Sequence, residues 1–373
     1  MSTEIQFFYR GKEISLENLD KLTEIVNLKP EDEDHISSLS NDDDEDQYQR
    51  YASTLKTVKS VLEKYGVAII PNVLSEKEIE NMKSGMWDYL EHVTSKFEVP
   101  IDRNNKKTWR SFYDLLPLHS MLVQHWQIGH AQYVWDLRQN PKIIDIFCKI
   151  WSVKKDELLV SFDGASVSMP HEVTNRGYYR GNEWLHVDQN FASGSKFECI
   201  QSWVTAFDVK QGDATLRVLE GSHLHHKEFA EHKKKSSSDE WWKKNSKSDW
   251  YKFEQEELEF FKERGCKPRN ILCPPGSMVF WDSRLVHSGK EAVKTRKESN
   301  FRCVVYLCYT PKSFADSKVI EKRKKAFNDK RTTSHWPHKA KMFPKIPRLY
   351  GNSKPNVVDV PDPKLTEIGK SLI

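Results

Sequence analysis

Apolar residues recur at helical spacing in the first part of the chain and at strand spacing in its middle. Between residues 55 and 151, apolar positions three and four apart define the faces of helices. Gly66 ends the first of these, and Ser75 with Glu78 matches a capping box at the start of the second. The short apolar run 67–74 between them predicts a strand. Helices are therefore predicted over 55–65, 75–93 and 126–151.

From about residue 158 to residue 310 the pattern changes to short apolar runs separated by turn residues. Such runs predict β-strands within 158–169, 183–190, 199–209, 215–222, 277–282 and 302–309. A charged segment with interspersed aromatic residues, 225–265, interrupts the strands and is interpreted as a helical or partly ordered insertion over the surface. Helices followed by a run of short strands predict a mostly β core with flanking helices, an α+β fold.

Charge is spread very unevenly, although the formal net charge of the 373 residues is only +4. Residues 1–50 carry 5 Lys/Arg against 14 Asp/Glu, whereas residues 311–373 carry 15 against 6. The acidic segment is predicted to be partly flexible, because its second half is poor in large apolar residues. The basic extension contains large apolar residues around 336–343, so we expect it to pack on the domain formed by 51–310.

Composition predicts an intracellular protein without a membrane span. The 6 cysteines form no CxxC pair, so reduced thiols are expected. We expect no secretory signal, and no run approaches the roughly 18–20 apolar residues of a membrane helix. A cytoplasmic location is predicted, with the nucleus as the alternative. Basic clusters interleaved with aromatic residues leave nucleic-acid binding open, although such lysine-rich faces are usually solvated surface. The sequence does not predict an oligomeric state.

Candidate chemistry begins in the strand 183–190, where His186 and Asp188 share one face because alternate residues project together. An imidazole beside a carboxylate suits a salt link, a proton relay or a metal. His287 is expected at the end of an apolar strand, and Arg302 lies at the head of the next. Two imidazoles and one carboxylate bind Fe(II) while leaving three adjacent coordination positions open, and an arginine fork pairs with the carboxylate of a dicarboxylic co-substrate. Each residue alone is a weak signal.

The surroundings of these residues carry a stronger signal. Residues 203–223 have the form W-V-x-x-x-D-V, a turn, and L-R-V-x-x-G-S-H. This arrangement resembles the phytanoyl-CoA dioxygenase family of Fe(II)/2-oxoglutarate oxygenases. So do the stretches 65–82, 276–289 and 300–309. The resemblance spans about 57–310, is interrupted by 225–265, and keeps the family's order of motifs.

The resemblance implies a double-stranded β-helix (jelly-roll), supported by the N-terminal helices, with iron at one open end. His186, Asp188 and His287 match the family's metal ligands, and therefore its catalytic residues. Arg302 matches the residue that anchors 2-oxoglutarate. The separation from His287 to Arg302 is longer than usual in the family, which leaves Arg296 as a rival anchor.

Three further residues are candidates for contact with 2-oxoglutarate. Trp203 or Thr205 lies on the strand that touches this co-substrate in the family. The family often has a hydroxyl two positions after the distal histidine, where this chain has Gly289. Ser288, one position earlier, is the candidate for that contact.

The resemblance also implies the reaction: Fe(II), 2-oxoglutarate and O₂ hydroxylate an unactivated C–H bond, with release of succinate and CO₂. Halogenating relatives replace the carboxylate ligand by a small residue, so the presence of Asp188 favours hydroxylation. The alternative hypothesis is a non-catalytic module that binds nucleic acid or protein on an oxygenase-like scaffold. The substrate stays open, because one fold supports many substrates.

Overall fold

The computed structural model describes residues 7–9, 12–14, 44–116, 121–181 and 183–373. The helices are α1 (Asp44–Tyr51), α2 (Val58–Tyr65), α3 (Glu76–Val93), α4 (Phe112–Leu115), α5 (Gln132–Arg138), α6 (Pro141–Trp151), α7 (His171–Thr174), α8 (His226–Ser236), α9 (Asp239–Asn245), α10 (Gln255–Lys262), α11 (Ser317–Asn328) and α12 (Glu367–Ser371). The strands are β1 (Phe7–Tyr9), β2 (Lys12–Ile14), β3 (Val67–Ile70), β4 (Leu122–Val123), β5 (Leu158–Val160), β6 (Ala165–Ser168), β7 (His186–Val187), β8 (Ile200–Thr205), β9 (Thr215–Leu219), β10 (Tyr251–Lys252), β11 (Pro268–Asn270), β12 (Met278–Asp282), β13 (His287–Lys290), β14 (Arg302–Tyr306) and β15 (Tyr309–Pro311).

The chain divides into two compact units, Met1–Asp46 and Gln47–Ile373. In the first unit, β1 and β2 form an antiparallel pair. The prediction of a partly flexible acidic segment over 1–50 falls largely outside the described residues. In the second unit, β5 pairs with β15. No helix among the described residues is long and apolar enough to cross a membrane.

The predicted helices α2 and α3 are confirmed. At the start of α3, the Ser75 hydroxyl accepts from the backbone N–H of Glu78, and the Glu78 carboxylate accepts from the backbone N–H of Ser75, which completes the capping box. Gly66 ends α2 in the left-handed region, with φ of 79°, where glycine carries no Cβ penalty. The predicted helix over 126–151 is instead two helices, α5 and α6. The Asn140 side chain caps α6 and Pro141 occupies its first turn, where proline lacks the N–H that would continue the preceding helix.

Two antiparallel sheets form the centre of the second unit. One has the strand order β3-β12-β8-β14-β6-β4, and the other has the order β10-β7-β13-β9-β11. Between β6 and β9, and again between β11 and β14, successive strands belong alternately to the two sheets. This alternation is that of a double-stranded β-helix. The α+β class and the jelly-roll core expected from the resemblance are therefore confirmed.

The period-2 alternation of the strands divides the core into two layers. Val67 and Ile69 of β3 belong to an apolar cluster that also contains Trp203 and Val218, and this cluster lies between the two sheets. Ala68 and Ile70 instead face the large cluster beneath helices α3, α5 and α6. Each fully buried aliphatic side chain of this kind contributes about 1.5–3 kcal/mol to folding. The helices thus cover one face of the larger sheet and leave its other face to the interior of the jelly-roll.

The insertion 225–265 is helical, as predicted, but it is more than a surface covering. It contains α8, α9 and α10, and its strand β10 extends the smaller sheet by pairing with β7. In this pairing Lys252 lies directly opposite His186. Phe229 and Phe253 pack with Val187 in one apolar cluster. The insertion therefore forms part of the sheet that carries His186.

The basic residues 311–373 contribute fully buried side chains to the second unit. Trp336 is 1% exposed and packs with Cys199 and Cys308. The guanidinium of Arg323, which is also fully buried, donates to the backbone carbonyls of Val160, Pro337, Leu372 and Ile373. These bonds connect α11 to strand β5 and to the last residues of the chain.

Buried neutral histidines are expected to make this fold sensitive to acid. Burial lowers the pKa of His226 to about 4 and the pKa of His130 to about 3. In unfolded protein these imidazoles take up protons near pH 6.5, whereas in folded protein they stay neutral. Stability is therefore complete above about pH 6.5 and falls as the pH decreases, by about 1.4 kcal/mol per pH unit and group.

We expect urea unfolding of the metal-free protein to show a lower free energy of unfolding at pH 4.5 than at pH 7. His226 donates from Nε2 to the Gln189 carbonyl at 2.7 Å, so His226→Gln removes the titrating group but keeps a side-chain amide donor. This variant should show a shallower decrease over the same pH range. An equal slope in both proteins would contradict the assignment.

Candidate active site

The structure brings His186, Asp188 and His287 together between the two sheets. Strands β7 and β13 are antiparallel neighbours, and His186 lies directly opposite His287 in their register. Asp188 follows His186 by two residues and projects to the same side. His287 begins β13 instead of ending the preceding strand as expected, because the turn at Asp282–Leu285 divides the apolar run.

The three side chains offer ligand atoms that all lie within 4.8 Å of one another. The distance from His186 Nε2 to Asp188 Oδ1 is 3.5 Å, and that from His287 Nε2 to Asp188 Oδ2 is 3.3 Å. Both histidines are buried, and the Asp188 side chain is 18% exposed. The cluster is thus screened from bulk water and is accessible from the side of its carboxylate.

Hydrogen bonds define the tautomer of both imidazoles. His186 Nδ1 lies 3.1 Å from the carbonyl oxygen of Trp184, and His287 Nδ1 lies 2.9 Å from that of Leu285. Because a carbonyl oxygen only accepts, each Nδ1 carries the proton, and each Nε2 keeps its lone pair towards Asp188. Histidine ligands of metals are generally oriented in this way by a backbone carbonyl.

The protonation states suit the same use. Burial, reinforced by His287, lowers the pKa of His186 and keeps its imidazole neutral. Burial raises the pKa of Asp188, but the neighbouring imidazoles of His335 and His186 outweigh it, so the pKa is well below its usual range. Two neutral imidazoles and one ionised carboxylate are a donor set that fits a divalent transition metal such as Fe(II).

Arg302 is a buried cation on the same inner surface. Its Nε donates to the Ser166 hydroxyl at 2.9 Å, and its Nη1 donates to the Ala214 carbonyl at 2.8 Å. Within the described parts of the chain, no carboxylate forms an ion pair with it. Arg296, the rival anchor, is instead bound by Glu172 at 2.6 Å and Asp213 at 2.9 Å. Arg302 is therefore the arginine whose charge is available for an anionic ligand.

The other sequence candidates differ in their placement. Trp203 is fully buried, and its ring centroid lies 5.5 Å from the Arg302 guanidinium carbon. The Thr205 hydroxyl donates to the Phe207 carbonyl at 2.7 Å and is thus used within a turn. Ser288 follows His287 on β13, so its side chain projects from the opposite face of that strand. Of these three residues, Trp203 contacts Arg302.

A family model described as phytanoyl-CoA dioxygenase (PhyH) matches residues 62–297, which is more than half of the chain. The chain belongs to this family. Members are Fe(II)- and 2-oxoglutarate-dependent oxygenases, so the protein is an enzyme of this class and uses Fe(II), 2-oxoglutarate and O₂. The match includes the three clustered residues and ends before Arg302.

Three proteins similar to this phytanoyl-CoA dioxygenase family member each share less than 30% sequence identity with it. Ava biosynthesis cluster protein O of Aspergillus versicolor is 28% identical over 276 residues, which are 74% of this chain and 83% of the relative. A Dictyostelium discoideum protein named after phytanoyl-CoA dioxygenase is 21% identical, over 70% of this chain and 77% of that protein. A solved structure of a Salmonella typhimurium LT2 protein described as an oxidoreductase is 12% identical, with a TM-score of 0.50 over 86% of each chain. This last likeness shows the fold alone.

The oxygenase site contains residues that the sequence did not indicate. Gln201 of β8 donates from Nε2 to Asp188 Oδ2 at 2.9 Å. Trp184 stacks on the His186 ring, with centroids 4.1 Å apart and planes 10° apart. Trp250 of the insertion meets the same imidazole edge-on, at 6.3 Å and 90°. None of these residues has a sequence pattern that distinguishes it from an ordinary strand or surface residue.

His335 of the C-terminal extension is the third imidazole in this region. Burial lowers its pKa, and its segment contacts the insertion, because Lys341 pairs with Asp249 at 3.7 Å and Ser334 N–H donates to the Lys341 carbonyl at 2.7 Å. Its Nε2 is buried and has no hydrogen-bond partner within the described residues. The position lies beyond both the family match and the resemblance seen in the sequence, so no motif could have indicated it.

Loss of the Gln201 hydrogen bond is expected to weaken metal binding by the oxygenase. Gln201→Leu keeps the side-chain size but removes the donor that orients Asp188, and such outer partners are worth roughly 10–100-fold in metal affinity. Anaerobic titration with Fe(II) or Co(II) measures the change. Gln127→Leu removes a similar amide–carboxylate bond, to Asp359 at 2.9 Å, and is the matched control. Equal affinities in the two variants would rule out this role.

Proposed function

We propose that this oxygenase is a hydroxylase that converts an unactivated C–H bond of a small organic substrate into C–OH and releases succinate and CO₂. The observation that carries the proposal is the buried cluster of His186, Asp188 and His287. In this cluster both imidazoles direct an unprotonated Nε2 towards one ionised carboxylate.

Each residue has a distinct part in the proposed reaction. His186, Asp188 and His287 hold the metal, which supplies the oxidising chemistry together with 2-oxoglutarate and O₂. Arg302 pairs its guanidinium fork with the carboxylate of 2-oxoglutarate that is remote from the metal. Trp203 packs against this guanidinium and holds it in place.

The positive charge of Arg302 supports its role as the anchor of 2-oxoglutarate. A buried guanidinium without a carboxylate partner is unfavourable, and a bound dicarboxylate removes this imbalance. The engaged Thr205 hydroxyl and the outward position of Ser288 give no support for a contact between these two residues and the co-substrate. We therefore assign the co-substrate to Arg302 and Trp203.

Hydroxylation is preferred over halogenation because the third position of the cluster is filled by the Asp188 carboxylate. A halide ligand needs a small residue at that position. The hydrogen bond from Gln201 holds Asp188 there, so the carboxylate occupies the position that chloride would need.

Oxygen-isotope labelling tests the proposed reaction. The protein is incubated with Fe(II), 2-oxoglutarate and a small-molecule cell extract under ¹⁸O₂, and the mixture is analysed by mass spectrometry. We expect labelled succinate and a metabolite that has gained one ¹⁸O atom. Succinate without any oxygenated product in repeated extracts, or a product that has gained chlorine, would contradict hydroxylation. Asp188→Ala is the negative control.

A further inference from the structure

Three segments that flank the barrel strands lie near the candidate metal centre. Trp184 precedes β7, Trp250 belongs to the insertion, and His335 belongs to the C-terminal extension. An ion pair between Lys341 and Asp249, at 3.7 Å, joins the extension to the insertion close to these residues. The family match ends at residue 297 and therefore excludes His335.

Trp184 and Trp250 form an exposed aromatic corner at one ligand. The Trp184 ring is parallel to the His186 ring, and Trp184 is 42% exposed. The Trp250 ring is perpendicular to the His186 ring, and Trp250 is 48% exposed. Every other tryptophan in the described parts of the chain is less exposed. Large apolar side chains that are exposed together are typical of contacts with a ligand or partner. The corner therefore offers two aromatic faces to a ring that approaches the metal.

His335 offers the complementary polar group. Its ring packs on Trp336 with centroids 5.1 Å apart, and the neighbouring backbone is held by Ser334 N–H to the Lys341 carbonyl at 2.7 Å. Its Nε2 is buried without a partner, and such a nitrogen is costly unless a ligand supplies the hydrogen bond. The ligand atoms of His186, Asp188 and His287 lie within 4.8 Å of one another, and His335 does not belong to this group. We therefore do not assign it as a fourth metal ligand.

The segment that carries His335 is connected through the insertion to the chain next to the metal-binding carboxylate. The backbone N–H of Asn190, two residues after Asp188, donates to the Asp249 carbonyl at 3.0 Å, and Asp249 pairs with Lys341, whose carbonyl accepts from Ser334 N–H. A group bound at His335 is thus brought next to the open side of the cluster.

We propose that Trp184, Trp250 and His335 form the subsite for the primary substrate. The substrate is a planar, mainly apolar ring system that carries a hydrogen-bonding group. The ring packs in the corner of the two tryptophans, and its polar group bonds to His335 Nε2. This assignment rests on the proposed oxygenase function, because it places the substrate beside the metal of that reaction.

The test uses the full chain loaded with Mn(II) and 2-oxoglutarate and measures proton relaxation of two probes of equal shape, 2-naphthol and 2-methylnaphthalene. The paramagnetic ion relaxes only protons that bind near it. The naphthol hydroxyl both donates and accepts, so it pairs with either tautomer of His335. We expect relaxation of both probes, with the stronger effect for 2-naphthol.

The variants separate the two parts of the subsite. His335→Ala should lower the effect on 2-naphthol roughly five-fold and leave that on 2-methylnaphthalene unchanged, because one hydrogen bond is lost. His335→Gln, which places an amide near the Nε2 position, should restore part of the preference. Trp184→Ala should lower the effects on both probes roughly five-fold. His225→Ala and Tyr350→Ala are controls at exposed positions outside the corner.

The outcomes distinguish this inference from the function on which it rests. Water-proton relaxation first establishes whether Mn(II) and 2-oxoglutarate bind. Failure of that binding would overturn the oxygenase centre and the subsite together. Binding of both without relaxation of either probe, or equal behaviour of His335→Ala and wild type towards 2-naphthol, would overturn the subsite alone.

Discussion

Asp188→Ala is expected to abolish 2-oxoglutarate turnover and to weaken Fe(II) binding by roughly 100-fold or more, a larger loss than removal of an outer hydrogen bond causes. The variant leaves two neutral imidazoles without the charge that balances a divalent cation. Anaerobic Fe(II) titration and succinate formation measure the two effects. Chloride-free buffer is needed, because a halide can replace the carboxylate in relatives with a small residue at this position. His186→Ala should give the same result.

An exposed histidine provides the control for this experiment. His225 bonds to Glu228 at 3.1 Å on the surface, so His225→Ala should keep wild-type metal binding and turnover. If His186→Ala and Asp188→Ala both consume 2-oxoglutarate at the wild-type rate, the cluster is not the metal centre. The hydroxylase proposal would then lose its main support.

The second large effect is expected at Arg302. Arg302→Ala should raise the KM for 2-oxoglutarate roughly 30-fold or more and change kcat less, because loss of one partner of a buried charge pair costs about 2–5 kcal/mol. Arg302→Lys should recover only part of the affinity, since an ammonium group lacks the two-pronged geometry of guanidinium. Initial rates at varied 2-oxoglutarate concentration measure these values.

Arg296 offers a control that separates binding from stability. Arg296→Ala breaks ion pairs with Glu172 and Asp213 and should lower the free energy of unfolding. It should leave the KM for 2-oxoglutarate within about two-fold of wild type, because Arg296 lies outside the proposed anchor and its charge is already paired. A large KM effect in Arg296→Ala together with a small one in Arg302→Ala would reverse the assignment.

Local sequence patterns predicted the features that depend only on residues close together in the chain. The capping box of Ser75 and Glu78 needs only residues three apart, and alternation alone placed His186 and Asp188 on one side of a strand. His287 was a candidate from its own strand, and the family resemblance implied that it acts together with the other two residues. Its place at the beginning of β13 was missed, because a continuous apolar run conceals a tight turn.

Residues that act through strand register or chain ends could not be predicted in this way. Gln201 reaches Asp188 only because β8 lies across the barrel from β7, and no spacing in the sequence encodes that contact. His335 lies in an extension without a matching motif. Trp184 precedes β7 and Trp250 lies within the insertion, yet both contact the imidazole of His186. Nucleic-acid binding, the cellular location and the domain boundaries stay predictions.

The pairing of Lys252 with His186 has a consequence for how this protein can be altered. The insertion 225–265, which has 41 residues and is rich in lysine and glutamate, is an obvious candidate for shortening when a smaller version is engineered. Deleting it would leave β7 at the edge of the sheet and would uncover Leu185, Val187 and Phe191, which pack against residues of the insertion. Shortening should therefore spare both α8, which carries Phe229, and Tyr251 to Phe253.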